Sequence, residues 1–145
     1  MAFANSTAIF GRYPGWTEGK DQANIQIELF EDYLCGDCKA FNPIWEEVLA
    51  TKWMDGTVSD YIRVGTTIYP LGYHVHSYEV AQMVPYFMNF CESQDSCPMS
   101  AEYKDFSFEN RDRILGMDDV SKRDFIKIWS QDVATKFNLD PVELE

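Results

Sequence analysis

Ile25-Gln-Ile-Glu-Leu-Phe-Glu-Asp-Tyr-Leu-Cys35-Gly-Asp-Cys38-Lys-Ala-Phe-Asn-Pro-Ile-Trp45-Glu-Glu-Val-Leu49 is the stretch on which the fold turns. Ile25, Ile27 and Leu29 alternate with Gln26, Glu28 and Phe30, the two-residue period of a strand, and the segment reads as a buried one. From Phe41 the apolar residues move to Ile44, Trp45, Val48 and Leu49, which is helical spacing. Cys35 and Cys38 therefore fall where a strand ends and a helix begins. The first N–H groups of a helix lack internal partners, and the helix dipole adds partial positive charge there. A thiolate at Cys35 is expected to be stabilised by that field and to be the better nucleophile at neutral pH. Cys38, one turn on, is placed to attack a mixed disulfide formed at Cys35. Cys-x-x-Cys alone also describes half a zinc site; between this strand and this helix it points to thiol–disulfide chemistry.

Length and composition bound the alternatives. At 145 residues and 46% hydrophobic, the chain is expected to form a single domain, 1–145, with a real core. A formal charge of −12 argues against nucleic acid and against anionic membrane surfaces. The apolar runs are too short to span a bilayer. The N-terminus, Met1-Ala-Phe-Ala-Asn-Ser-Thr-Ala-Ile-Phe-Gly-Arg12, has no basic n-region or hydrophobic core, so no signal peptide is visible.

Residues 1–24, rich in Gly, Asn, Thr and Pro, read as loop, with Thr7–Phe10 as a short edge strand. The helix after the cysteines is expected to end near Trp53–Gly56, with Gly56 as a left-handed cap. Tyr61–Ile68 is rich in β-branched residues and reads as a second strand. A helical connection makes the two strands parallel, with function expected beyond their carboxyl ends. Cys35 follows one such end, and Tyr69-Pro-Leu-Gly-Tyr-His-Val-His76 follows the other.

The remainder reads as helical. Ser77 is placed to cap a helix over Tyr78–Phe90, kinked at Pro85, whose Val80, Met83, Val84, Phe87 and Met88 share one face. A Cys91–Cys97 loop leads to a polar segment with a short helix near Asn110–Leu115. Ser121 and Asp124 resemble a capping box ahead of Phe125, Ile128, Trp129, Val133 and Phe137. Asp140-Pro141 reads as the start of one more helix.

The pairing of Ile27–Trp45 with Ile68-Tyr-Pro-Leu-Gly-Tyr-His-Val-His-Ser77 resembles the DsbA-like branch of the thioredoxin superfamily. Its members carry a Cys-Pro-Asp-Cys-like pair and a Pro-Leu-Pro-Tyr-His segment before an inserted helical subdomain. The resemblance covers roughly residues 25–90. It implies an α/β fold: an N-terminal edge segment over 1–24, a thioredoxin-like βαβ core over 25–70 and a helical insertion over 77–139. It also implies exchange with protein thiols through Cys35 as nucleophile and Cys38 as resolving thiol, with no cofactor beyond that redox-active disulfide. Three departures stand out. Gly36-Asp37 lacks the proline. Asp37 sets negative charge beside Cys35, which works against the thiolate and makes the pair less oxidising. The family's late proline loop and hairpin have no counterpart, so the C-terminal ββα half reads as missing or reduced.

His74 and His76 admit two readings: with the cysteines as a zinc site, although the spacing departs from zinc fingers, or His74 beside the cysteines as a modulating cation. The favoured reading has no metal. Cys91 and Cys97 read either as a structural disulfide in an oxidising compartment or as two free thiols. Tyr13, Trp16 and the aromatics of Tyr103–Phe108 are candidates for partner contacts, with partial burial the commoner fate. Two functions are compatible with these residues. One is a DsbA-like oxidoreductase acting on protein substrates. The other is a redox-inactive scaffold subunit of a larger assembly, with a partner chain completing the sheet. The cysteine pairs incline the reading toward an oxidising or organellar compartment.

Overall fold

A computed structural model describes residues 15–20, 22–88 and 98–144. Strand β1 (Gly15–Gly19), β2 (Ile25–Glu31) and β5 (Ile62–Ile68) form a mixed sheet in the order β1-β5-β2. β2 runs parallel to β5, with Ile27 opposite Val64, and β1 runs antiparallel to β5, with Gly15 opposite Thr67. Between β2 and β5 lie helix α1 (Gly36–Ala50), a small hairpin of β3 (Lys52–Trp53) and β4 (Gly56–Thr57), and a 3-10 turn at Val58–Asp60. After β5 every described element is helical: α2 (Ser77–Ala81), α3 (Val84–Met88), α4 (Pro98–Leu115), α5 (Lys122–Phe137) and α6 (Pro141–Leu144). The fold is thus mixed α/β, with a three-stranded sheet followed by a helical region.

β5 is the central strand, and Ile62, Val64, Thr66, Thr67 and Ile68 are all buried. β2 is an edge strand among the described residues. Its alternating residues Ile25, Ile27 and Leu29 are exposed or half-exposed, with Ile25 at 53%, so the expected buried strand is corrected to an edge strand. Part of the N-terminal segment expected as loop is strand β1, because Gly15 lets its backbone approach Thr66 closely; a Cβ there would sit 2.3 Å from the Thr66 carbonyl oxygen. Thr7–Phe10 and Tyr13 lie outside the described residues, and Trp16 is buried rather than presented to a partner.

Helix α1 stops at Ala50, with Thr51 as an extended C-cap, not near Gly56. The chain then turns at Met54, which takes the left-handed φ of 52°, and Gly56 belongs to the hairpin. Of the helix expected over Tyr78–Phe90, the described residues up to Met88 form two short ones, broken at Gln82–Met83. Pro85 lies in the first turn of α3, where a missing N–H costs least. Ser77 is the first residue of α2, with His76 in the cap position.

The core joins Trp16, Tyr33, Leu34 and Ile68 to the helical region. Val80, Val84 and Phe87 come from α2 and α3, Tyr103, Phe108 and Ile114 from α4, and Phe125, Trp129 and Val133 from α5. Trp129 Nε1 donates to the Tyr103 hydroxyl at 2.9 Å, which donates to the Val80 carbonyl at 2.6 Å, so three helices share one buried polar chain. Such a chain fixes how these helices dock, because any other arrangement leaves buried donors unmatched. Ser121 caps α5 by accepting from the Asp124 amide. Asp140 Oδ1 accepts from the Val142 amide at the start of α6.

Candidate functional site

β2 and β5 are parallel, so their carboxyl ends lie together, and the chain leaving each one is tied to the other by Asp32. This carboxylate is buried, directly after β2. Its Oδ1 accepts from the Leu34 amide at 2.8 Å and from the Ser77 hydroxyl. Its Oδ2 accepts from the Leu71 amide at 2.9 Å and from His74 Nδ1 at 2.7 Å. Four donors satisfy a charge that would otherwise be costly to bury. The result clamps the Leu34–Cys35 turn to the Leu71–Ser77 segment.

Cys35 is the N-cap of α1, with φ −77° and ψ 126°. Its amide donates to the Asp32 carbonyl at 2.9 Å, and its carbonyl accepts from Lys39 at 3.1 Å. No side chain caps this end of the helix, so the first-turn amides face the cysteine region without an intrahelical acceptor. Both cysteines are half-buried thiols. Cys38 packs against the core, and burial pushes its thiol up to about 11. The Asp32 amide opposes that shift by hydrogen bonding to the sulfur, while a hydrogen bond to Cys35 and the nearby charge of Glu31 add to it. Cys38 thus sits in hydrogen-bond contact with Cys35, with its own thiol pushed up chiefly by burial.

The surroundings hold three more groups. Leu29, Phe30, Glu31, Asp37, Cys38 and Phe41 line an open cleft of about 230 Å³ beside the edge strand. Glu31 is buried there, and desolvation raises its carboxyl above the ordinary range, against the pull of Lys104. From α4, Arg111 reaches across the motif: its Nε donates to the Leu34 carbonyl at 2.7 Å. Asp37, expected to modulate the pair, is exposed at the mouth of the cleft.

His74 is engaged by Asp32, with its ring edge-on to Tyr73 at 4.5 Å between centroids. His76 is separate. It is buried, stacks on Phe125 at 3.9 Å, and its Nε2 pairs with the Met117 carbonyl. Among the described residues no three or more His, Cys, Asp and Glu side chains form a group able to hold a metal ion. Cys91 and Cys97 lie outside the described residues. Tyr103 and Phe108, weighed as partner contacts, are core residues. No described helix is long and apolar enough to cross a membrane.

Asp32 had a local signal in the sequence: an Asp two residues before Leu34, just after a strand, is positioned for an Asx turn. Arg111 had none, because 77 residues separate it from its acceptor. Compared with protein-family models, curated proteins and solved structures, the chain has no match in any of the three.

Proposed function

We propose that the chain is a thiol–disulfide oxidoreductase of thioredoxin-like type, acting through Cys35 and Cys38 on protein disulfides or dithiols. The carrying observation is the placement of the pair: Cys35 is the N-cap of a 15-residue helix whose end no side chain caps, and Cys38, one turn on, is half-buried in contact with it. The DsbA-like motif resemblance and the parallel β2–β5 pair, with both carboxyl ends at the site, support the same reading.

In the reductive direction the Cys35 thiolate attacks one sulfur of a substrate disulfide. A Cys35–substrate disulfide forms, the substrate S–S bond breaks, and the first substrate thiolate leaves and takes a proton. Cys38 then loses its proton and attacks the Cys35 sulfur, closing the Cys35–Cys38 disulfide and releasing the second substrate thiol. Two electrons and two protons pass from the protein dithiol to the substrate. The reverse sequence oxidises a substrate dithiol.

A second reading is supported by a different observation. Phe30, Phe41, Ile44 and Val48 are 39–58% exposed along β2 and α1. An apolar edge of this kind suits a scaffold subunit whose sheet is completed by a partner chain. Turnover separates the two. The reduced protein is expected to reduce a mixed-disulfide peptide substrate faster than an equal concentration of free dithiol, with the activity abolished in Cys35→Ser. Turnover no better than free dithiol, or equal in Cys35→Ser, refutes the enzyme and leaves the scaffold.

A further inference from the structure

Arg111 is remote in sequence from the cysteines, yet its guanidinium brackets Cys35. Nε is bonded to the carbonyl of the preceding residue, Leu34. On the following residue, a Cβ added to Gly36 would lie 3.2 Å from Nη2 and 3.5 Å from Cζ of Arg111. The planar group thus lies against the bare Cα of Gly36, and any side chain there would press on it. This gives Gly36 a role independent of backbone conformation: it leaves room for the cation.

The charge balance around the guanidinium is uneven. Arg111 Nη1 pairs with Asp112, but that carboxylate is 81% exposed while the Arg111 side chain is only 23% exposed. Solvent therefore screens the partner more than it screens the guanidinium. The other ionisable groups close to the turn are Asp37 and Lys39, both exposed on α1, the buried Glu31 beside Cys38, and Asp32, whose carboxylate is taken up by four donors that include His74.

The geometry points to Arg111 as a positioning residue of the Cys35 site: it fixes the Leu34–Cys35–Gly36 turn and brings a positive charge to the two residues that flank Cys35. The inference deepens the oxidoreductase reading and rests on the same site. It also assigns the helical region a part in the chemistry, since α4 carries the group that completes a turn formed by β2 and α1.

Alkylation with two reagents of different charge tests it. In a Cys38→Ser background, the rate at Cys35, followed by peptide mapping, is measured with anionic iodoacetate and neutral iodoacetamide. A nearby cation attracts the anionic reagent, so the iodoacetate-to-iodoacetamide ratio is expected to fall about fivefold in Arg111→Gln. Arg111→Lys keeps the charge and is expected to restore most of the ratio. Gly36→Ala, which displaces the guanidinium without removing it, is expected to shift the ratio in the same direction as Arg111→Gln. With residue 111 unaltered, the ratio is expected to fall as salt is added. A ratio insensitive to salt and unchanged in both Arg111→Gln and Gly36→Ala overturns the inference. If Cys35-dependent turnover is present while the ratio is unmoved, only Arg111 is wrongly assigned. If turnover is absent while the ratio depends on Arg111, the oxidoreductase reading alone fails.

Discussion

Helices α1 and α5 have nearly the same length, 15 and 16 residues, and both carry apolar side chains at helical spacing. Their surroundings differ. α5 buries Phe125, Trp129, Ser130, Val133 and Ala134, whereas α1 buries only Asn42. The apolar residues of α1 are left to partial cover: Phe41 stacks on Trp45 at 5.8 Å, and Ile44 is 58% exposed. An amphipathic pattern states which face of a helix is apolar, not what covers it. In this chain the helical region carries the closed core, and the layer that bears the cysteines is open on one side. The candidate site lies between the two, held from the core by Cys38 and Arg111 and open to the cleft at Phe30 and Phe41.

The largest expected effect breaks this contrast directly. Trp129→Ala removes a fully buried ring and the donor to Tyr103, and is expected to cost about 3–5 kcal/mol. Ile44→Ala on α1 removes an exposed side chain and replaces it with a better helix former, so it is expected to stay within about 0.5 kcal/mol of wild type. Urea denaturation of both variants measures the pair. Comparable losses would mean that α1 is packed as fully as α5 in solution, for instance by association with a second chain. Protein-concentration dependence of the Ile44→Ala loss would identify that case.

The contrast also explains what could be read in advance. The strand–Cys-x-x-Cys–helix unit, the second strand and its parallel partner were readable because apolar period and β-branched content changed sharply at Cys35 and again at Tyr61. The early edge of the sheet was not, because Gly15–Gly19 has no alternation and is fixed by pairing along β5 and by the burial of Trp16 in the core, both of which need the fold. α4 was expected as a short helix near Asn110–Leu115 and spans 18 residues. Its buried face includes Ser100 and Ser107 beside Tyr103 and Phe108, and a small hydroxyl residue gives no apolar signal. Ser107 satisfies its hydroxyl on the Tyr103 carbonyl within the helix, which makes its burial inexpensive. The candidate site divides the same way: the cysteines were local in sequence, whereas Arg111 and the His74 contact to Asp32 needed the fold.

Asp32 is the next lever, because it links the open layer to the segment after β5. Asp32→Asn keeps the shape but sets an amide N–H₂ where the carboxylate accepts from two donors. It is expected to cost about 2–3 kcal/mol. His74→Ala removes one of four partners and is expected to cost less. Limited proteolysis within Leu71–Ser77 gives a local readout: cleavage is expected to rise in Asp32→Asn more than in His74→Ala. Equal cleavage in both would mean that His74 is the contact that holds the segment and that those of Asp32 to Leu71 and Ser77 contribute little.

The smallest effect concerns Glu31, whose carboxyl is raised by burial, with Lys104 opposing and Glu18 adding to the shift. A carboxyl with a folded-state value above its unfolded one binds its proton more tightly when folded. Its contribution to stability is complete below the unfolded carboxyl range and is lost as pH rises through the folded value. At neutral pH the charged group therefore works against the fold, on the side of the molecule that is already open. Glu31→Gln keeps the volume and hydrogen-bonding shape but removes that charge. The variant is expected to be more stable than wild type at pH 7, with the advantage gone near the unfolded carboxyl value of about 4.3. Because the Glu31 charge also helps to keep Cys38 protonated, alkylation of Cys38 is expected to begin at lower pH in the variant. Stability curves at the two pH values, with Cys38 mapping on the same samples, test both effects. A destabilised Glu31→Gln at pH 7 would show instead that the attraction between Glu31 and Lys104 outweighs the burial of the charge, and that this attraction helps to hold the edge of the sheet to α4.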